Sequence, residues 1–219
     1  MRRLLWIPDI HSPQEAGPDF YTSRKFESFI DEGKTDANRH LELVIDAVAG
    51  SNLDFASMRF FGEGIAASGM ALQGEYFNIF PGILADKTEN FLLHRRAVVT
   101  AQKLVDLVGS ETEEDWSNPV FLQEVRDALK DSDEANNKRE AEIIKNINTR
   151  LRNGETGILI LGAGHYLMLD KLDGDIVVEL FDARFEAIVE ESRELHRELH
   201  EVEGGNVSAM KERGVGITK

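Results

Sequence analysis

Residues 157–162 read Gly-Ile-Leu-Ile-Leu-Gly, a run with no polar side chain on either alternating face. A strand with one wet face alternates apolar and polar residues. An unbroken apolar run instead suits a strand covered by helices on both sides, as in parallel sheets. Residues 175–181 (DIVVELF) are nearly as dense, 4–8 (LLWIP) form an apolar run closed by proline, and 57–63 (SMRFFGE) end in Gly62-Glu63-Gly64. Helical spacing fills the intervals. It predicts helices over 19–32, 36–49 (behind Thr35-Asp36 as cap) and 89–108, and a start at Ser117 or Asn118 with Pro119 in the first turn. A further helix carries Ile143, Ile144, Ile147 and Leu151 on one face and closes at Asn153-Gly154, and a last one spans 183–202. Strands alternating with helices predict an α/β fold, a mainly parallel central sheet of about four or more strands flanked by helices.

At 219 residues, with no Pro- or Ser-rich linker, the chain reads as a single domain over 1–203 with a flexible C-terminal tail over 204–219. The net charge of −15 repels phosphate backbones and anionic lipid, which argues against nucleic-acid and membrane partners. The absence of cysteine excludes disulfides, thiolate zinc sites and cysteine nucleophiles, and suits a reducing cytoplasm. No apolar stretch is long enough to span a bilayer, and the leading MRRLLWIPDIHSPQ breaks at Pro8-Asp9, so it reads as a first strand and not a secretion signal. The composition leaves a homo-oligomer open.

In such sheets ligands bind beyond the carboxyl ends of the strands. Those ends carry Asp9 and His11, then Glu63, then Gly162-Ala163-Gly164-His165, then Glu179 and Asp182. His11, His165 and Glu63 together form a donor set for Zn²⁺, Mn²⁺ or a similar divalent ion such as Co²⁺, with positions left for water and substrate. Gly162 and Gly164 would let the chain turn sharply and point His165 into the crevice. A dinucleotide fingerprint fails, because Leu167 stands where G-x-G-x-x-G needs its third glycine. His196 and His200 lie four apart on a highly charged helix and read as a solvated face. His94 and His40 are lone helical histidines that read as surface or packing residues. Ser12, Ser68 and Ser110 lack a G-x-S-x-G elbow. Glycines 62, 64, 69 and 74 fall in one short span, either a mobile loop over the site or a turn-rich connection.

These ends, taken in order, resemble the TIKI/TraB superfamily, which includes TraB- and GumN-like, ChaN-like and erythromycin-esterase-like proteins. GAGH (162–165) fits the second of the family's two G-x-x-H motifs. PDIH (8–11) sits where the first belongs, with proline in place of glycine, and Glu63 in RFFGEGI matches the glutamate. The stretch before GAGH resembles the family's arginine-bearing helix and points to Arg139. The resemblance implies a metal-dependent hydrolase acting on a peptide or small-molecule ester, or a hydrolase using His and Glu. Glu63 would be ligand or base, Arg139 would stabilise negative charge or orient Glu63, and Asp9, Gly162 and Gly164 would contact substrate. The alternative is a non-catalytic protein holding a small ligand or haem in the same pocket.

Overall fold

The computed structural model of the protein describes residues 1–9, 27–72, 74–109, 118–190 and 192–194. In chain order the elements are β1 (Arg2–Asp9), α1 (Glu27–Gly50), β2 (Arg59–Gly62), β3 (Met70–Ala71), α2 (Tyr76–Ile79), β4 (Leu84–Ala85), α3 (Phe91–Gly109), α4 (Pro119–Arg150), β5 (Thr156–Gly162), α5 (Tyr166–Leu169) and β6 (Ile176–Leu180). The four apolar runs form one parallel sheet in the order β2-β5-β1-β6, and β3 and β4 make a small antiparallel pair apart from it. The α/β architecture with a mainly parallel sheet is therefore as the sequence predicts.

The middle strands are buried on both faces because a different helix covers each. Leu4, Trp6, Leu159 and Leu161 pack with Ile143 and Ile147 of α4 and Met168 of α5. Leu5, Ile7, Ile158 and Ile160 pack on the other side with Val44 and Ala47 of α1 and Phe185. Gly157 is closely surrounded in this packing. A Cβ there would lie 3.1 Å from Leu4, 3.2 Å from Leu151 and 3.2 Å from Phe61 side-chain atoms. Pro8 is tolerated in a central strand because the β6 ladder stops short of it. The last β1–β6 pair is Trp6 with Leu180, and Phe181 N donates to Trp6 O. The amide that proline lacks would point to the same neighbour as Trp6, where no strand continues.

The helices are longer and fewer than the sequence suggests. α1 runs unbroken through Thr35-Asp36, so the helix predicted from 36 has no start there; the predicted 19–32 segment lies within the described residues only from 27. A cap residue stops nothing unless the preceding turn unravels, and Gly33 costs a helix only about 1 kcal/mol. α4 likewise joins two predicted helices into one of 32 residues. No glycine or proline follows Pro119 before Gly154, and the buried stripe Phe121, Val125, Ala128, Ser132, Ala135, Arg139, Ile143 keeps its three- and four-residue spacing throughout. Asn118 caps the start, accepting from Val120 N at 3.0 Å. The predicted last helix begins as a tight turn, Ala183–Phe185, and continues through 186–190 and 192–194; its end and the predicted tail lie outside the described residues. No described helix is long and apolar enough to cross a membrane.

Topology decides where a crevice forms. β1 is followed by α1 on one face, whereas its neighbour β5 is followed by α5 on the other. Adjacent strands whose connections leave to opposite faces open a cleft between their carboxyl ends. Here those ends are Asp9 and Gly162, which are register partners.

Candidate functional site at the carboxyl edge of the sheet

After β2 the chain leaves the sheet at Glu63, makes the β3–β4 pair with α2 between, and returns at Asp86 to bridge Phe61 in parallel. Asp86 N donates to Phe60 O at 2.7 Å, and the amides of Thr88 and Glu89 both donate to Ile65 O at 2.9 Å. Gly62 N donates to Thr88 Oγ1 at 2.9 Å, and Asn146 Nδ2 of α4 donates to Thr88 O at 3.0 Å. This clamp sets Glu89 beside Glu63. The glycine-rich span is thus a connection anchored at its base, with Gly64, Gly69 and Gly74 in the positive-φ conformations that its turns demand.

Arg139 enters the space between the two carboxylates from the buried stripe of α4. Its Nε donates to Glu89 Oε2 at 3.0 Å and its Nη2 to Glu89 Oε1 at 2.6 Å, a two-pronged pairing. Nη2 also donates to Glu63 Oε1, and Nη1 donates to His165 Nε2 at 3.3 Å. Glu63 Oε2 in turn accepts from Gly162 N at 3.3 Å. One guanidinium therefore ties the ends of β2 and β5 to the start of α3. Glu89 is wholly buried. Burial would raise its carboxyl, but hydrogen bonds from His94 and Arg139 and the charge of Arg139 outweigh that and hold it below the usual carboxylate range. Burial pushes the other way on Arg139 as well, and the charges of Glu63 and Glu89 with their hydrogen bonds keep it firmly protonated.

Two imidazoles flank this ion-pair network, each turned by a carboxylate. His94 Nδ1 lies 2.9 Å from Glu89 Oε2, and His165 Nδ1 lies 2.9 Å from Glu140 Oε1. A carboxylate only accepts, so each Nδ1 carries the proton. In His165 the other nitrogen accepts from Arg139. In His94, whose side chain is 28% exposed, Nε2 is left as the basic atom.

Glu63, Arg139, Gly162 and His165, singled out in the sequence, are thus brought together. Asp9 lies at the register position beside Gly162 and contacts a different pair: Tyr76 Oη donates to its Oδ1 at 2.7 Å, and His40 Nε2 lies 3.7 Å from the same oxygen. His11, His196 and His200 lie outside the described residues. The chain does turn at GAGH, but no glycine-only conformation makes it do so. Gly162 has φ −47° and ψ 137°, open to any residue, neither glycine has positive φ, and a Cβ on Gly164 would meet open space. The tight turn 163–165 is made by ordinary backbone angles instead.

Sequence reasoning missed Glu89, Glu140 and Tyr76, and read His94 and His40 as bland. One signal was present. Arg139 falls in phase with the apolar stripe of α4, and a buried arginine must find carboxylates. Nothing in the sequence says that Glu89 would be one of them.

Glu63, Glu89 and His94 form a group that could hold a metal ion, each offering one ligand atom, with all three within 4.8 Å of one another. The fit is partial. Each Glu89 oxygen already receives two donors, from Arg139 and Gly64 N (3.3 Å) on one and from Arg139 and His94 on the other. An ion would have to replace the His94 proton. By fold and site, this is a parallel α/β protein with an arginine-centred carboxylate–imidazole cluster at its carboxyl edge. No protein-family model, curated protein or solved structure gives a significant match to the chain.

Proposed function

We propose that the protein is a hydrolase of ester or peptide bonds, with His94 as its general base. The observation carrying this reading is the pair His94–Glu89: a partly exposed imidazole with one nitrogen held by a fully buried carboxylate that Arg139 also binds. Neutral Nε2 accepts a proton from water as the water oxygen bonds to the substrate carbonyl carbon. Glu89 keeps the ring in the required tautomer and stabilises the imidazolium that results. Collapse of the adduct breaks the bond to the leaving group, which takes the proton back from Nε2. Arg139 positions Glu63 and Glu89, and its charge opposes their mutual repulsion. The order of Glu63, Arg139 and His165 agrees with the resemblance to the TIKI/TraB superfamily. The cysteine-free composition suits a cytoplasmic enzyme.

A second reading is favoured by the three-residue group alone. A divalent ion, Mn²⁺, Co²⁺ or Zn²⁺, would be held by Glu63, Glu89 and His94 and would polarise water there. The haem alternative fares worse, because both nitrogens of His165 are engaged, by Arg139 and by Glu140.

A panel of chromogenic esters and peptides, assayed with and without chelator, tests both. We expect chelator-insensitive turnover that drops by roughly 10²–10⁴-fold in His94→Gln, the usual worth of a general base. Turnover abolished by chelator and restored by one of the three ions would select the metal reading. Absence of turnover, or a His94→Gln variant as active as the parent, overturns the proposal.

A further inference from the structure

The residues at the end of β1 make a second polar centre on the opposite face of the sheet from Arg139. Asp9 follows Leu5 and Ile7 on the α1 side, whereas Glu63 follows Phe61 on the α4 side. Tyr76 Oη stands 2.7 Å from Asp9 Oδ1, His40 Nε2 3.3 Å from Tyr76 Oη, and His40 Nε2 3.7 Å from Asp9 Oδ1. The three atoms come from β1, α1 and the start of α2, and the His40 ring is held against Phe185 at 5.7 Å between centroids. His40 and Asp9 side chains are only 3% and 13% exposed.

A circle through these three atoms has a radius of roughly 1.9 Å, close to the 2.0–2.2 Å of metal bonds to imidazole nitrogen and carboxylate oxygen. An ion displaced slightly from their plane would lie within bonding distance of all three atoms. We propose that Asp9, His40 and Tyr76 form a binding site for ferric iron at the topological switch point of the sheet. The donor set selects the ion. A phenol gives up its proton at neutral pH only to a strongly polarising cation, and phenolate with carboxylate is a hard, doubly negative pair that matches a trivalent ion better than Zn²⁺ or Mn²⁺. Binding breaks the Tyr76 O–H bond and releases that proton to solvent. The His40 proton moves from Nε2 to Nδ1, so Nε2 can ligate. This site does not depend on the hydrolase reading and uses none of its residues.

Titration of the full-length protein with ferric nitrilotriacetate tests the site. One equivalent of iron should develop a phenolate-to-iron charge-transfer band in the visible, more strongly as pH rises because a proton is released. Tyr76→Phe should abolish the band while keeping the ring in place, and His40→Gln should weaken iron uptake at least tenfold. Resonance Raman excited in the band should show tyrosinate vibrations in the parent protein, so a misfolded variant would leave the question decidable. A colourless titration, or a band that survives in folded Tyr76→Phe, overturns the proposal.

Discussion

Glu89 carries no solvent exposure, yet its carboxyl is held below its ordinary value of 4.5 by His94 and Arg139. A carboxyl depressed in the folded state leaves the unfolded chain binding more protons near that pH, so stability rises with pH there. The contribution of Glu89 is therefore complete above about pH 4.5 and is lost as pH falls through the lower folded value. Glu89→Gln removes one partner of a buried pair, a change that costs about 3–5 kcal/mol, and the surviving Glu63 contact places it at the low end. The deficit in urea unfolding free energy relative to the parent should be largest at neutral pH and shrink as the medium is acidified below 4.5. A deficit constant with pH would mean that Glu89 is not the charged partner described. Arg139 shows what a sequence reveals at this scale. Its phase on the α4 stripe marks it as buried, but the carboxylates it meets come from segments 50 and 76 residues away, whose proximity only the folded clamp at Asp86–Glu89 creates.

Among the elements, the four strands of the main sheet were legible; the short β3–β4 pair and the helix boundaries were not. An apolar run such as 157–162 has no stable exposed arrangement, so burial follows from composition alone. Helix ends depend on a contest between caps and packing; in α4 the continuous stripe wins, and the turn-like Lys130-Asp131-Ser132-Asp133 stays helical because Ser132 falls on the buried face. Glycine was the most misleading residue. The sequence drew attention to Gly162 and Gly164, yet side chains crowd Gly157 far more closely than Gly164. Gly157→Ala pushes a methyl into Leu4, Leu151 and Phe61 at once and should destabilise by about 1–3 kcal/mol. Gly164→Ala meets nothing and should stay within about 0.5 kcal/mol of the parent. Thermal melts of the two variants side by side check this, and equal losses would count against the strand packing described.

For the whole molecule, strand order was beyond reach of the sequence for a physical reason. Strands buried on both faces lack the alternation that would name their neighbours, so many orders satisfy the same pattern. The consequence is that the switch point between β1 and β5, and with it the pairing of Asp9 with Gly162, emerges only from the assembled sheet. Charge, by contrast, is fully legible and acts at long range. The chain carries −15 overall, and at the crevice the Arg139 charge is already engaged by Glu63 and Glu89. A substrate approaching this edge therefore meets a negative field, which raises the encounter rate of cations and lowers that of anions. For two chromogenic esters alike except for a cationic or anionic side group, kcat/KM should favour the cationic one by about tenfold at low salt. Raising the salt from about 0.01 M to 1 M shortens the screening length from roughly 30 Å to 3 Å, so the preference should collapse toward unity if it comes from the field. A preference that survives high salt would instead locate the discrimination in direct contacts within the crevice, with Asp9 and Glu63 the first residues to substitute.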